Sequence, residues 1–379
     1  MQTPFRFHVL SLPHTVTCKD YVACAYTQKV LKFCKMMKAR GHTIIHYGNE
    51  MSEVECDEHV TVVTKEDLEI AYGSYDWRKN FFKHSTADHA HKTFNKNASR
   101  EVAARKKPGD FLLCFWGYGH KPTAEANPDM IVVEPGIGYS DDGGWRARWR
   151  VFESYAHYHR VAGKLGTGPD WYHVVIPNYF DPDEFEFSAE KDDYVLYLGR
   201  ISNLKGVQVA IQAARAAGKK ILVAGQGSLS EVGYPDPLPP DIVYVGYADV
   251  EKRKKLMSKA QCLIIPSAYY EPFGGVMVEA MMSGTPVVTV DWGAATEIVP
   301  HGVTGYRCRT ADHFAWAVKN AHKLDPNACR SWAMNFSLDK VSRMYEEYFQ
   351  NVSYVYSGGK AWNRENPDRQ ELDWLSRSL

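Results

Sequence analysis

Short apolar runs that alternate with longer amphipathic stretches constrain this chain more than any other feature. Residues 5–12, 43–47, 110–115, 130–133, 194–198, 221–224, 241–245, 262–266 and 286–290 are apolar enough to be strands and too short to be helices. Residues 22–40, 207–217, 251–259, 275–283 and 338–351 carry helical periodicity. Parallel strands need a long crossover, usually a helix, so this alternation predicts an α/β protein with parallel sheets. Gly41 sits where the first helix should stop, as a C-cap. Residues 68–107 read as polar and mostly helical, and 143–161 as a loop and helix rich in Trp, Arg and Tyr.

The alternation is interrupted once, at VVIPNYFDPDEFE, residues 174–186, where a strand ends at Pro177 and a polar, proline-containing turn follows. A new β-α-β series starts after it. A chain of 379 residues is long for one core and suits two domains. The expected division is 1–178, 179–345 and a helical tail, 346–379, with a last polar helical piece at 369–376. Doubly wound sheets bind ligands beyond the carboxyl ends of their strands, so the default site is a cleft between two such domains.

Composition excludes several functions. The 45 basic residues are balanced by 45 acidic ones, which argues against non-specific wrapping of nucleic acid. No apolar run reaches the ~20 residues of a membrane span, and the first dozen residues lack the apolar centre of a signal peptide. The eight cysteines are scattered without a Cys-x-x-Cys pair, which fits a reducing, cytoplasmic location. The sequons at Asn97, Asn335 and Asn351 then read as chance matches.

Two segments carry chemistry. In EPFGGVMVEAMMSGTPVV, 271–288, Glu271 follows a predicted strand, Gly274 and Gly275 open a helix, and Glu279 lies one turn inside it. Free N–H groups at a helix start suit a phosphate. Glu279 shares a helix face with that start and could accept bonds from two neighbouring hydroxyls, as a ribose offers. In LGRISNLKGV, 198–207, Arg200 and Lys205 flank the exit of another strand, and two such cations suit a diphosphate.

These segments resemble the retaining glycosyltransferases of family 4, which have the GT-B fold of two Rossmann-like domains facing each other across a cleft. The resemblance rests on Glu271 and Glu279 with seven residues between them, on Arg200 and Lys205, and on the interdomain turn IPNYFDPDEF. It rests further on Gly225-Gln226-Gly227, on the Gly–Thr–Pro–Val strand at 284–288, and on GAATEIVPHGVTG at 293–305. It implies an acceptor-side first domain, a nucleotide-sugar-binding second domain and a tail that returns to the first. It implies that Glu271 and the following amides, at Phe273, Gly274 and Gly275, hold the donor sugar. Glu279 would bind the ribose, Arg200 and Lys205 would neutralise the departing diphosphate, and Gly225 and Gly227 would approach the donor. Anomeric configuration would be retained, without a metal and without a cofactor beyond the donor itself. The acceptor would be a saccharide, a lipid-linked glycan or a protein, and peripheral membrane contact is compatible with this.

The first half follows the family only in outline. Where many members carry a His, this chain reads Gly136, Gly138 and Tyr139, so Gly138 and Tyr139 are the sugar-facing candidates and His120 a substitute from another loop. His84, Asp88, His89 and His91 read as a solvated helix face rather than a metal site. Asp181-Pro182-Asp183 is formally Asp-x-Asp, but its place in the interdomain turn disfavours metal. Trp145, Arg146, Arg148, Trp149 and Arg150 form either an acceptor platform or a charged helix start. Three alternatives remain: an epimerase or phosphorylase of the same fold, a transferase acting on a nucleic-acid base, and a binding module without turnover.

Overall fold

The computed structural model describes residues 4–74, 76–78, 84–138, 142–168 and 170–359. It has two compact units, one of Met1–Tyr75, Phe82–Tyr179 and Leu338–Leu379, the other of Asp76–Phe81 and Phe180–Ser337.

The first unit holds a seven-stranded sheet, β1 (Arg6–Leu10), β2 (Thr43–Asn49), β3 (Glu58–Val63), β4 (Phe111–Cys114), β5 (Ile131–Ile137), β6 (Trp149–Phe152) and β7 (His173–Val175). The order is β3-β2-β1-β4-β5-β6-β7, and every pairing is parallel. The second unit holds six parallel strands, β8 (Val195–Leu198), β9 (Ile221–Ala224), β10 (Ile242–Gly246), β11 (Cys262–Ile265), β12 (Val287–Val290) and β13 (Gly305–Cys308), ordered β10-β9-β8-β11-β12-β13. Both sheets are doubly wound. Their switch points, where successive crossovers part to opposite sides, lie between β1 and β4 and between β8 and β11.

Strands at the switch points are buried on both faces, as FLLC, VLYL and CLII require. Each buried Leu, Ile or Phe adds about 1.5–3 kcal/mol over its exposed state. Among the described residues, two helices cover the stretch 68–107, expected as polar and mostly helical. Lys65–Tyr72 starts at a capping box between Thr64 and Asp67 and stops at Gly73, where φ is +69°. His89–Arg105 starts at Asp88, whose carboxylate accepts from the His91 N–H. Strands β3, β6 and β13 lie in stretches not anticipated as strands. β3 is an edge strand with exposed Glu58 and His59, and β6 carries Arg150, so neither reads as a plain apolar run.

The helix Leu338–Tyr356 belongs to the first unit, where Tyr345 donates to Pro135 O at 2.7 Å and its ring packs on Phe33. The predicted piece at 369–376 lies outside the described residues. Among the described residues no helix is long and apolar enough to cross a membrane.

Candidate donor site in the second unit

Two loops meet at the β8–β11 switch point. The loop after β8 runs through Arg200 into a short turn, Asn203–Lys205, whose N-cap Ser202 accepts from the Lys205 N–H. Tyr197, buried at the end of β8, donates its hydroxyl to Arg200 O at 2.7 Å and so fixes where that loop leaves the sheet. The Arg200 side chain is exposed.

The loop after β11 carries Glu271. Its Oε1 accepts from Lys205 Nζ and, at 3.0 Å, from Ser267 Oγ. Residues that are 66 apart in sequence thus form a largely buried ion pair, with 19% of the Lys205 side chain and 10% of the Glu271 side chain exposed. Lys205 Nζ also stands 5.0 Å from the Tyr269 ring centroid. Gly274, at φ +83°, is the N-cap of the helix Gly275–Met282. Phe273 is buried, with its ring against Phe180 and Phe336, so the side chain is core and only its backbone is left for a ligand. Glu279, on that helix, accepts from Arg253 of the helix Val250–Lys259.

Gly225 and Gly227 lie beyond β9. A Cβ on Gly225 would stand 1.8 Å from Gly199 O, so only glycine lets the exits of β8 and β9 touch. The contact is closed by Gly199 N–H to Ala224 O at 3.0 Å and Ile201 N–H to Gln226 O at 2.8 Å. Five of the second-unit residues singled out from sequence, Arg200, Lys205, Glu271, Gly225 and Gly227, therefore sit on three adjoining strand exits. Sequence reasoning missed Ser267 and Arg253. Arg253 lies on a different helix, 26 residues before its partner, and no local pattern links the two.

The first-unit candidates are differently placed. Gly138 N–H donates to Tyr26 Oη at 3.0 Å, beside a buried ion pair between Lys29 and Glu153. Lys29 also donates to Gly136 O at 3.2 Å, and Asn178 donates to Glu153 Oε2 at 3.1 Å. Tyr139 lies outside the described residues. His120 is fully buried and paired at both nitrogens: Nδ1 accepts from Trp116 N–H at 3.1 Å, and Nε2 meets Ser11 O at 2.8 Å. Burial pulls its pKa down to about 3, so it is a neutral strut between the exits of β1 and β4. The solvated-face reading of 84–91 holds for His89, paired with Asp67 at 42% side-chain exposure, and fails for His91, which is fully buried. The two point to different sides of one helix, so one of them must face the core.

The aromatic–arginine cluster at 145–150 is largely structural. Trp149 is buried under the Arg148 guanidinium, which also covers Tyr172, and Trp145 packs against the core. Asp181 caps a short turn by accepting from the Asp183 N–H. Among the described residues no group of three or more His, Cys, Asp or Glu side chains is placed to hold a metal ion.

Residues 192–323 match the family of glycosyl transferases group 1. The chain is 33% identical over 199 residues to an uncharacterized glycosyltransferase, MJ1607, of Methanocaldococcus jannaschii, a match covering 46% of this chain and 50% of that protein. It is 32% identical over 168 residues to a glycogen synthase of Mycobacterium tuberculosis, covering 41% of this chain and 40% of that one. The chain thus spans about half or less of the length of these relatives. In fold it is similar to AviGT4, a glycosyltransferase involved in avilamycin A biosynthesis, with a TM-score of 0.67 at 17% identity over 94% of this chain and 99% of that one. It is similar also to Anabaena Alr3699/HepE, solved in complex with UDP and glucose, with a TM-score of 0.65 at 15% identity over 91% of this chain and 99% of that one. The architecture of two Rossmann-like units is that of the GT-B fold.

Proposed function

We propose that this chain is a glycosyltransferase that moves a sugar from a nucleoside-diphosphate sugar, of UDP or GDP type, to a saccharide, lipid-linked or protein acceptor. The observation that carries the reading is the Lys205–Glu271 pair at the switch point of the second unit, within the region that matches group 1 glycosyl transferases. Arg200 and Lys205 supply positive charge where a departing diphosphate would gain negative charge, the kind of stabilisation that lowers such a barrier most. Glu271 holds Lys205 in place and, with the amides of Phe273, Gly274 and Gly275, would face the donor sugar. Glu279 would take the ribose hydroxyls, with Arg253 orienting its carboxylate.

In the reaction the bond from the anomeric carbon to the diphosphate oxygen breaks, and a bond from that carbon to the acceptor oxygen forms. The acceptor proton leaves to the departing phosphate. The family resemblance favours retention of configuration. We propose metal-independent turnover with no cofactor beyond the donor, because the cations named here take the place a metal would fill. A cytoplasmic location completes the reading.

The test is a thermal-shift panel with UDP, GDP, ADP, TDP and CMP, followed by sugar conjugates of the best binder. A ligand at about 100 times its dissociation constant adds ~2.7 kcal/mol to the folded state. One clear nucleoside-diphosphate shift, with turnover that persists in EDTA, supports the proposal. No shift with any of them overturns it.

A further inference from the structure

The second unit includes one short stretch from far upstream in the chain, Asp76–Phe81, of which residues 76–78 are described. That stretch lies against the exits of β9 and β10. Trp77 O accepts from the side-chain amide of Gln226, 149 residues away. The Trp77 ring and the ring of Tyr247, which follows β10, meet in a T at a centroid separation of 6.1 Å. The Arg78 N–H donates to Asp76 Oδ1 at 2.9 Å, a local turn that sets the Arg78 guanidinium over the indole, 4.3 Å from its centroid.

The loop that reaches Trp77 is itself held firmly. Gln226 O accepts from the Ile201 N–H, and the Tyr244 hydroxyl stands 2.7 Å from Gly227 O and 3.1 Å from Gly225 O. Trp77, Gln226 and Tyr247 are half-buried, so none of them is core. The strand order β10-β9-β8-β11 sets this place beside the cations, since Arg200 and Lys205 follow β8 and Glu271 follows β11. Neighbouring strands lie about 4.8 Å apart, which puts the exits of β9 and β10 about 5–10 Å from that of β8.

We infer that Trp77 forms a wall for the base of the donor nucleotide, with Gln226 as its anchor and Tyr247 as its neighbour. A nucleoside diphosphate carries its charge at one end and a flat aromatic base at the other. The charged exits suit the first. Rings suit the second, because bases stack on aromatic side chains and form hydrogen bonds at their edges. Donor affinity then depends on a residue that lies outside 192–323, the stretch that matches group 1 glycosyl transferases. The inference rests on the proposed function, since it needs a nucleoside diphosphate in the second unit.

The experiment is calorimetry of the full chain with UDP, GDP, ADP and TDP, joined to tryptophan emission during the same titrations. For the tightest binder, Trp77→Ala should weaken affinity about tenfold or more, and Trp77→Phe, which keeps a ring, by less than about threefold. Binding should quench emission in the parent, and Trp77→Phe should lose most of that quench while it still binds. Should Trp77→Ala fail to fold, Trp77→Leu, which keeps apolar bulk without a π-face, is read in its place with the same expected loss. If no nucleoside diphosphate binds the parent, the proposed function and this inference fall together. If the parent binds one and the alanine or leucine variant binds it equally well, this inference falls alone. Tighter binding in those variants also overturns it, since Trp77 would then cover the site rather than build it. An equal quench in the parent and Trp77→Phe would place the base elsewhere.

Discussion

The two switch points share one architecture and differ in chemistry. In the second unit the strand exits carry charge near solvent, with Arg200 exposed and the Lys205–Glu271 pair beside it. In the first unit the charges lie deeper and hold turns together: Lys29 with Glu153 beneath Gly136, and Glu134 beneath the segment 144–147. The exits of β1 and β4 there carry rings, His14 and Trp116, 4.8 Å apart. A doubly wound sheet therefore fixes where a ligand sits, and the side chains at the exits decide what kind of ligand it is.

If charge in the first unit is structural, breaking it should cost folding before function. Lys29 and Glu153 are both nearly inaccessible, and removing one partner of such a pair leaves the other buried and uncompensated. Lys29→Met should therefore destabilise the protein by about 3–5 kcal/mol in chemical unfolding, and adding Glu153→Leu should recover most of the loss. A Lys29→Met protein of parental stability would break the comparison.

Charge in the second unit should show the reverse. Lys205→Ala is expected to lower turnover by roughly 10²–10³-fold, the usual cost of losing one preorganised group at a developing negative charge. Its loss of unfolding free energy should be smaller than that of Lys29→Met, because Lys205 keeps part of its side chain in solvent. Full activity in Lys205→Ala, measured as sugar release or transfer from the donor identified by thermal shift, would remove the diphosphate role.

The second unit was more legible in the sequence than the first, for a physical reason. Its chemistry lies on loops that directly follow buried strands, so Arg200, Lys205 and Glu271 could be placed from β8 and β11 alone. The first unit builds its edge from residues far apart in the chain. Lys29 and Glu153 are 124 residues apart, and His91 and Trp116 are 25 apart. No local periodicity shows that His91 turns inward, that His120 is consumed by Ser11 and Trp116, or that Trp149 is already covered by Arg148. Strands β3, β6 and β13 were hidden similarly, by charged residues on short or edge segments.

Glu134 sharpens the contrast through pH. Its carboxylate accepts from the Trp145 and Ala147 N–H groups, both at 3.0 Å, and burial raises its pKa from 4.5 to about 7. The folded state then holds a proton that the unfolded state has released between about pH 4.5 and 7. The stability this adds is full below pH 4.5 and is lost as pH rises through 7, a change of at most ~3 kcal/mol. Glu134→Gln cannot titrate, so its unfolding free energy should lack that decline. An unchanged pH slope in the variant would place the proton elsewhere.

Glu279 gives the smallest expected effect and the most direct reading of the second unit. Its Oε2 is taken by Arg253, which could make the pair a brace between two helices and nothing more. As a ribose clamp, the carboxylate would lose one or two charge-assisted hydrogen bonds to the nucleotide on truncation. Glu279→Ala should then weaken nucleoside-diphosphate binding by about 10–100-fold in calorimetry. Arg253→Ala separates the two roles. A clamp needs the carboxylate and uses Arg253 only to aim it, so Arg253→Ala should weaken binding less than Glu279→Ala does. A brace depends on both partners alike, so equal stability losses with unchanged affinity would move the ribose site off this helix and leave the second unit with a diphosphate cradle alone.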